Sequence, residues 1–276
     1  MLIAQISDSH VSLPGRLIDR AFHTSEHLAR AVAHLNGLDP RPDVVLHTGD
    51  IVDHGLREEY ERAREILAGL AMPLYVIPGN HDDRAALRAV FARDGYLPRA
   101  GDFLQYVVED LPIRLVALDT LVPQSAAGRL CAQRLAWLDA QLSAAPSVPT
   151  MILMHHPPFV SGLTVMDETM GLEGIGALAA IVRRHPQVER VASGHLHRPM
   201  LRRFAGTVAS VCPSTAHQLG LDLPPQTRLT VTEEPPGAML HVLLDGGAGL
   251  VSHLSVIGSY PTYTVFADGK WLPIKD

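Results

Sequence analysis

DVVLHTGDIVDHG at residues 43–55 and PLYVIPGNHDD at residues 73–83 set the frame for the whole chain. Each opens with a short apolar, β-prone run, at 43–48 and 73–78. Each run stops at a turn where glycine stands beside a carboxylate or an amide: Gly49-Asp50 in one, Gly79-Asn80-His81 in the other. A short apolar run without alternation, bounded by turn residues, is the pattern of a strand buried on both faces. Other runs repeat the design. LIAQI at 2–6 ends at Ser7-Asp8, IRLVAL at 113–118 ends at Asp119, PTMILM at 149–154 ends at His155-His156, and VERVAS at 188–193 ends at Gly194-His195. Helical periodicity lies between them, at 21–36, 57–70, 83–93, 131–142 and 172–184. Strand–helix alternation of this kind predicts an α/β layered fold with much parallel pairing. Past residue 198 the segments 200–204, 207–212, 227–232, 239–244 and 250–257 read as strands with no long helix among them.

Composition narrows the function classes. The chain has 276 residues, of which 47% are hydrophobic and 19% charged, the make-up of a globular protein and not of a disordered one. A net charge of -6 and 5% aromatics leave neither a basic coat for a phosphate backbone nor a stacking surface for single strands, so no nucleic-acid partner is expected. There is no run of 18 apolar residues, no amphipathic basic helix and no signal-peptide pattern, so no membrane partner is expected and a cytoplasmic location is. Cys131 and Cys212 match no zinc spacing and read as free thiols of a reducing compartment.

Several of the 15 histidines fall where the strands end. Asp8 and His10 follow the first strand, Asp50 the second, Asn80 and His81 the third, His156 stands in HHPP, and His195 and His197 in GHLH. In open α/β sheets ligands bind beyond the carboxyl ends of the strands, so residues scattered over the sequence converge on one rim. Carboxylate oxygens with imidazole nitrogens suit Zn, Fe, Mn or Co, and one carboxylate can bridge two such ions.

DSH at 8–10, GDIVDHG at 49–55, GNHD at 79–82, HHPP at 155–158 and GHLH at 194–197 together resemble the calcineurin-like metallophosphoesterase superfamily. The intervening text is similar to its class III cyclic-nucleotide phosphodiesterase branch, which includes bacterial glycerophosphodiesterases. The resemblance covers residues 1–217. It implies a four-layer αββα sandwich in a catalytic domain 1–217. The segment 218–276 carries little of the resemblance and reads from its own pattern as β-rich, completing the sheet and forming a cap or an oligomer contact. The resemblance implies two transition-metal ions, Fe, Mn, Zn or Co, the first held by Asp8, His10 and His197, the second by Asn80, His156 and His195, with Asp50 bridging. It places His81 against the phosphate as charge stabiliser or acid, with Asp50 and Asn80 in the catalytic set. It places His217, in PSTAHQ, toward the substrate beside His81 and Asn80. The activity implied is hydrolysis of small phosphodiesters, cyclic nucleotides or glycerophosphodiesters, by a homo-oligomer. A phosphomonoesterase and a non-catalytic scaffold are the alternatives.

Other residues are expected to be structural. His23 and His27 read as a solvated helix face, and Asp82 and Asp83 as caps of the following helix. His155 is expected beside the metal shell and not in it. Met166 and Met170 read as loop packing, Asp119 as structural. Asp53 and His54 stand next to the site, in a loop role or a catalytic one.

Overall fold

The computed structural model describes residues 1–223, 228–244 and 249–272. In chain order the first half holds β1 Leu2–Ile6, α1 Leu17–Phe22, α2 Thr24–Asn36, β2 Val44–His47, α3 Arg57–Leu67, β3 Leu74–Val76, α4 Arg84–Phe91, β4 Tyr106–Val108, β5 Arg114–Ala117, β6 Gly128–Arg129 and α5 Ala132–Ala144. There follow β7 Thr150–Leu153, α6 Thr164–Thr169, β8 Leu172–Glu173, α7 Ile175–Arg184, β9 Val188–Ser193, β10 Met200–Phe204 and β11 Thr207–Val211. Then come β12 Gln218–Leu219, β13 Val231–Thr232, β14 Gly237–Leu243, β15 Leu250–Val256, β16 Phe266–Ala267 and β17 Lys270–Trp271.

Two sheets carry the fold, one ordered β15-β14-β1-β2-β3 and the other β10-β11-β9-β7-β5-β4. β1, β2 and β3 are parallel, as are β5, β7, β9 and β11, while β14, β15, β10 and β4 run antiparallel to their neighbours. The inner faces meet in one core that includes Ile3 and Leu46 of the first sheet and Leu115 and Leu153 of the second. α2, α3 and α4 join that core from outside the first sheet through Leu28, Leu67 and Leu87. The outer face of the second sheet, with Val116, Ile152 and Val191, packs on Leu138 of α5 and Leu178 of α7. The layers are therefore αββα. Each of the fully buried Leu and Ile side chains contributes about 1.5–3 kcal/mol relative to exposure.

Local chemistry explains where elements begin and end. The helix expected over 21–36 is two helices, because His23 takes a left-handed conformation, φ 46°, and caps α1 by donating its N–H to Asp19 O. His23 therefore lies at the junction and not on a helix face. Asp83 caps α4, its carboxylate accepting from Ala86 N at 2.8 Å. α7 starts three residues later than expected, since Leu172–Glu173 pair instead with Gly128–Arg129. The tail strands 239–244 and 250–257 become β14 and β15, and β14 pairs antiparallel with β1 along Leu2–Gln5. Within 227–232 only Val231–Thr232 is strand, residue 227 lying outside the described residues.

Candidate metal centre

Beyond Ile6 the chain keeps pairing with the segment that follows β2. Asp8 N donates to Gly49 O, His10 N to Asp50 O and Val11 N to Ile51 O, each at 3.0 Å. The pairing holds only because Asp8, His10 and Asp50 take φ of 54°, 43° and 51°. After β9, His195 and His197 do the same, at 71° and 47°. Left-handed backbone costs a non-glycine residue of order 1–3 kcal/mol and collects at functional sites, where Asp and His tolerate it best. Glycine is required where these turns touch: a Cβ on Gly79 would stand 2.2 Å from Asp50 Oδ1, and one on Gly194 would stand 2.6 Å from Asp8 Oδ2.

The side chains converge. His197 Nε2 lies 3.4 Å from Asp8 Oδ1 and 3.1 Å from His10 Nε2. His10 Nε2 lies 3.7 Å from Asp50 Oδ2. On the other side of Asp50, the same Oδ2 is 3.2 Å from His155 Nε2, which is 3.1 Å from Asn80 Oδ1. Potential ligand atoms of Asp8, His10 and Asp50, and again of Asp50, His155 and His195, all lie within 4.8 Å of one another. Asp50 belongs to both groups. Hydrogen bonds hold the rings: His155 Nδ1 donates to Thr48 O at 2.8 Å, His197 Nδ1 to His217 O at 2.9 Å, and His195 Nε2 to Met170 O at 2.9 Å. The backbone N–H of His195 donates to both carboxylate oxygens of Asp8, at 3.0 and 3.1 Å.

His81 stands at the mouth, its N–H donating to Asp50 Oδ1 and its Nδ1 to Asp53 O, both at 2.8 Å. His217 is buried, 4.8 Å from the His197 ring, and stacks on Phe22 at 4.5 Å. Between these residues lies a cavity of about 200 Å³. Asp50, Asn80, His81, His195 and His197 line it together with the apolar Ile18, Met166, Met170, Leu219 and Leu229. No lysine or arginine is among the described residues that line it.

The charges are those of a cation site. Burial works against the Asp8 and Asp50 carboxylates, yet the imidazoles around them, His197 for Asp8 and His155 for Asp50 foremost, hold both well below the usual carboxylate range. Among the described residues only imidazoles stand within ion-pair reach of either one. Burial pushes His195 down to about 3 and holds His10 below its ordinary value, so both rings are neutral donors. His155 is pushed up to about 9, because the carboxylates of Asp50 and Asp8 outweigh its burial. His10 Nδ1 and His217 Nδ1 are buried without a hydrogen-bond partner. Two buried carboxylates, neutral imidazoles and an amide oxygen fit divalent transition metals.

The structure corrects several expectations. His156 stands beside the cluster, its ring 4.4 Å from the His195 ring and 5.0 Å from the His155 ring. Its Nδ1 is 2.8 Å from Thr120 Oγ1, and its Nε2 donates to Ala126 O at 3.0 Å. His155 stands between Asp50 and Asn80, with its Nδ1 on Thr48 O. The two rings part because one step along the chain reverses a side chain: Met151 and Leu153 of β7 belong to the inter-sheet core and Ile152 and Met154 to the core under the outer helices, and beyond the strand His155 reaches Thr48 while His156 reaches Thr120 and Ala126. Met166 and Met170 line the cavity. Asp83 caps α4 as expected, but Asp82 is buried and binds Gly79 N at 2.8 Å, Ile51 N at 3.3 Å and the Tyr60 hydroxyl at 2.8 Å, so it joins the Asp50 turn to the Asn80 turn. Asp119 is structural, paired with Arg84 at 2.6 Å. Ile18 and Leu229, on the cavity wall, had no sequence signal.

Comparison with known proteins agrees with this geometry. The family model for calcineurin-like phosphoesterases matches residues 1–199. The chain is 34% identical over 267 residues to a protein of Arcobacter nitrofigilis named as a probable glycerophosphodiester phosphodiesterase, covering 95% of this chain and 97% of that one. It is 31% identical over 245 residues to a 3',5'-cyclic-nucleotide phosphodiesterase of Nostoc, covering 88% of each. Among solved structures a dimetal phosphatase from Danio rerio superposes with a TM-score of 0.67 at 17% identity, covering 94% of this chain and 99% of that one, a likeness of fold.

Proposed function

Since the chain belongs to the calcineurin-like phosphoesterase family, we propose that it is a two-metal phosphodiesterase that hydrolyses small phosphodiesters, cyclic nucleotides or glycerophosphodiesters. The carrying observation is the cluster around Asp50, whose carboxylate is shared by a group with Asp8 and His10 and a group with His155 and His195. One metal would be held by Asp8, His10, His197 and Asp50. The other would be held by Asp50, Asn80, His195 and His156, whose ring burial keeps neutral, with His155 hydrogen-bonded between Asp50 and Asn80 to steady both. Metal ions in such a site supply Lewis acidity and a water acidified toward neutral pH.

The chain's own groups do the rest. Asp50 accepts from the His81 backbone N–H and so sets where the His81 ring starts. The proton on His81 Nδ1 is committed to Asp53 O, which leaves Nε2 free to act on the substrate. Burial opposes charge on His81, but the Asp50 carboxylate and the Asp53 carbonyl and carboxylate hold its imidazole above the ordinary value. A protonated Nε2 can donate to a phosphoryl oxygen as charge develops, or give its proton to the leaving alkoxide. Buried His217 closes the far wall of the cavity. The apolar wall of Ile18, Met166, Met170 and Leu229 excludes water and takes the ester arms.

A phosphomonoester is a dianion and a diester a monoanion. A cavity with no lysine or arginine among its described lining residues favours the diester over the monoester alternative. A complete ligand cluster in strained backbone weighs against a non-catalytic scaffold. No helix among the described residues is long and apolar enough to cross a membrane. Free Cys131 and Cys212 support a cytoplasmic location, and the uncharged edge strand LVSHLSV of β15 supports a homo-oligomer.

The test is hydrolysis of a chromogenic diester and its matching monoester by protein reloaded with Mn(II) or Zn(II), with and without chelator. Chelator-sensitive preference for the diester is expected. Preference for the monoester would move the function to a phosphatase, and inactivity on both with no metal bound would end the reading.

A further inference from the structure

Asp53 sits one turn outside the metal cluster and touches both halves of the site. Its backbone N–H donates to Val11 O at 3.1 Å, at the isolated parallel bridge between Val11 and Val52, so it is carried by the same pairing that places His10. His10 faces the cluster with Nε2. Its other nitrogen, Nδ1, is buried, lacks a hydrogen-bond partner, and faces Asp53 Oδ1 at 3.4 Å. The same carboxylate oxygen is 3.7 Å from His81 Nδ1, and the Asp53 carbonyl accepts the His81 Nδ1 proton at 2.8 Å. The His10 and His81 rings meet edge to face, 4.6 Å apart. From outside, Asp53 is pinned in turn: its Oδ2 is 3.1 Å from His54 Nδ1, and His54 is tied through its ring and its backbone N–H to Glu59, a buried residue of α3.

We infer that Asp53 is a positioning residue that serves the metal-holding and substrate-facing histidines at once: its carboxylate orients the His10 ring and its carbonyl orients His81. An imidazole that binds a metal through one nitrogen is turned and made a better donor when the other N–H finds a carboxylate. Of the groups described around His10, only Asp53 offers its carboxylate to Nδ1. His81 is held by a main-chain oxygen, which any residue at 53 supplies. Truncating the side chain therefore acts first through His10, and on His81 only through loss of the 3.7 Å neighbour. This rests on the two-metal reading above.

The experiment titrates metal-free wild type, Asp53→Ala and Asp53→Asn with Mn(II) and Zn(II) against a competing chelator, and measures kcat and KM for a chromogenic diester at saturating metal. Asp53→Ala should bind one of the two metals about 10–100-fold more weakly, leave the other unchanged, and lower kcat more than it alters KM. Asp53→Asn keeps an acceptor oxygen for His10 Nδ1 and should recover most of the lost affinity. Melting of the metal-free variants should stay within a few degrees of wild type. Asp53→Ser, too short to reach His10, gives the same readout if the alanine variant does not fold. Wild-type affinity at both sites in Asp53→Ala or Asp53→Ser overturns the inference, and so does an asparagine variant as impaired as alanine. Failure of wild type to bind two metals would instead strike the functional reading.

Discussion

Replacing His155 and His156 in turn separates a ring that steadies two metal ligands from a ligand one position away. His155 is fully buried, its Nε2 between Asp50 Oδ2 at 3.2 Å and Asn80 Oδ1 at 3.1 Å. Asp50 and Asn80 keep their own supports when it is removed: Asp50 still accepts from His81 N, and the Asn80 turn is still held by Asp82 through Gly79 N. His155→Ala should therefore fold and still bind two metals, one of them about 10–100-fold more weakly, with diester hydrolysis lowered on the same scale. His156 is also fully buried, against Gly128, where a Cβ would come within 2.5 Å of its ring, and it bonds Thr120 and Ala126. His156→Ala leaves a cavity and an unpaired Thr120 hydroxyl. Each such loss is worth about 1–3 kcal/mol, and together they cost about 3 kcal/mol. At about 2–4 °C per kcal/mol for a chain of this size, melting of the metal-free protein should drop by about 6–12 °C, one metal fewer should bind, and diester hydrolysis should fall by about 100-fold or more. Metal content by elemental analysis and melting by circular dichroism read the two outcomes. A folded His156→Ala that keeps both metals, beside a His155→Ala that loses one outright, would refute the assignment.

Three further outcomes are expected. Gly79→Ala puts a Cβ 2.2 Å from Asp50 Oδ1, where contacts under 3.0 Å are essentially never seen, so the carboxylate must move by nearly 1 Å. Activity should fall about 100-fold and stability by about 1–3 kcal/mol, and a variant within twofold of wild type would contradict the packing. Tyr60→Phe removes a donor to Asp82, a carboxyl pushed up to about 7 by burial and by the Asp50 charge, and should cost about 1–3 kcal/mol in urea unfolding. His241 lies buried between Gln5 Oε1 at 3.0 Å and Ser252 Oγ at 2.7 Å, and burial, with Arg190 nearby, pushes it down to about 3 from 6.5. The unfolded chain then binds more protons than the native one between about pH 3 and 6.5, so the stability held by neutral His241 is complete above 6.5 and drains as pH falls toward 3. Within that window wild type should lose up to about 1.4 kcal/mol more per pH unit than His241→Gln. Superimposable unfolding curves from pH 4 to 7 would contradict this.

How much of the site could be read in advance follows from where each ligand stands. Asp8, Asp50, Asn80 and His195 follow strands directly, at turns marked by glycine or by a short polar run, so apolar runs and turn chemistry together located them. Residue 155 against 156 is another matter. A half-buried strand betrays its inward face by alternation, but β7 is buried on both faces and reads TMIL with no polar side to count from. Its two faces differ only in what covers them: the inter-sheet core takes Met151 and Leu153, the outer helices take Ile152. One step along a strand reverses the side chain, so two adjacent histidines beyond such a strand are assigned to opposite faces by tertiary packing alone. Asp82 went unrecognised for a related reason. Beside Asp83 it has the local look of a helix cap, and only the fold brings the Ile51 N–H and the Tyr60 hydroxyl to it. The left-handed backbone at Asp8, His10, Asp50, His195 and His197 was also out of reach of residue patterns, since it exists only because the segments after β1, β2 and β9 are drawn onto one rim. What stayed hidden in the sequence is therefore the part of the site that two sheets make by facing each other. The residues that decide metal geometry, Asp53 and His155 among them, are those whose direction is set across that gap.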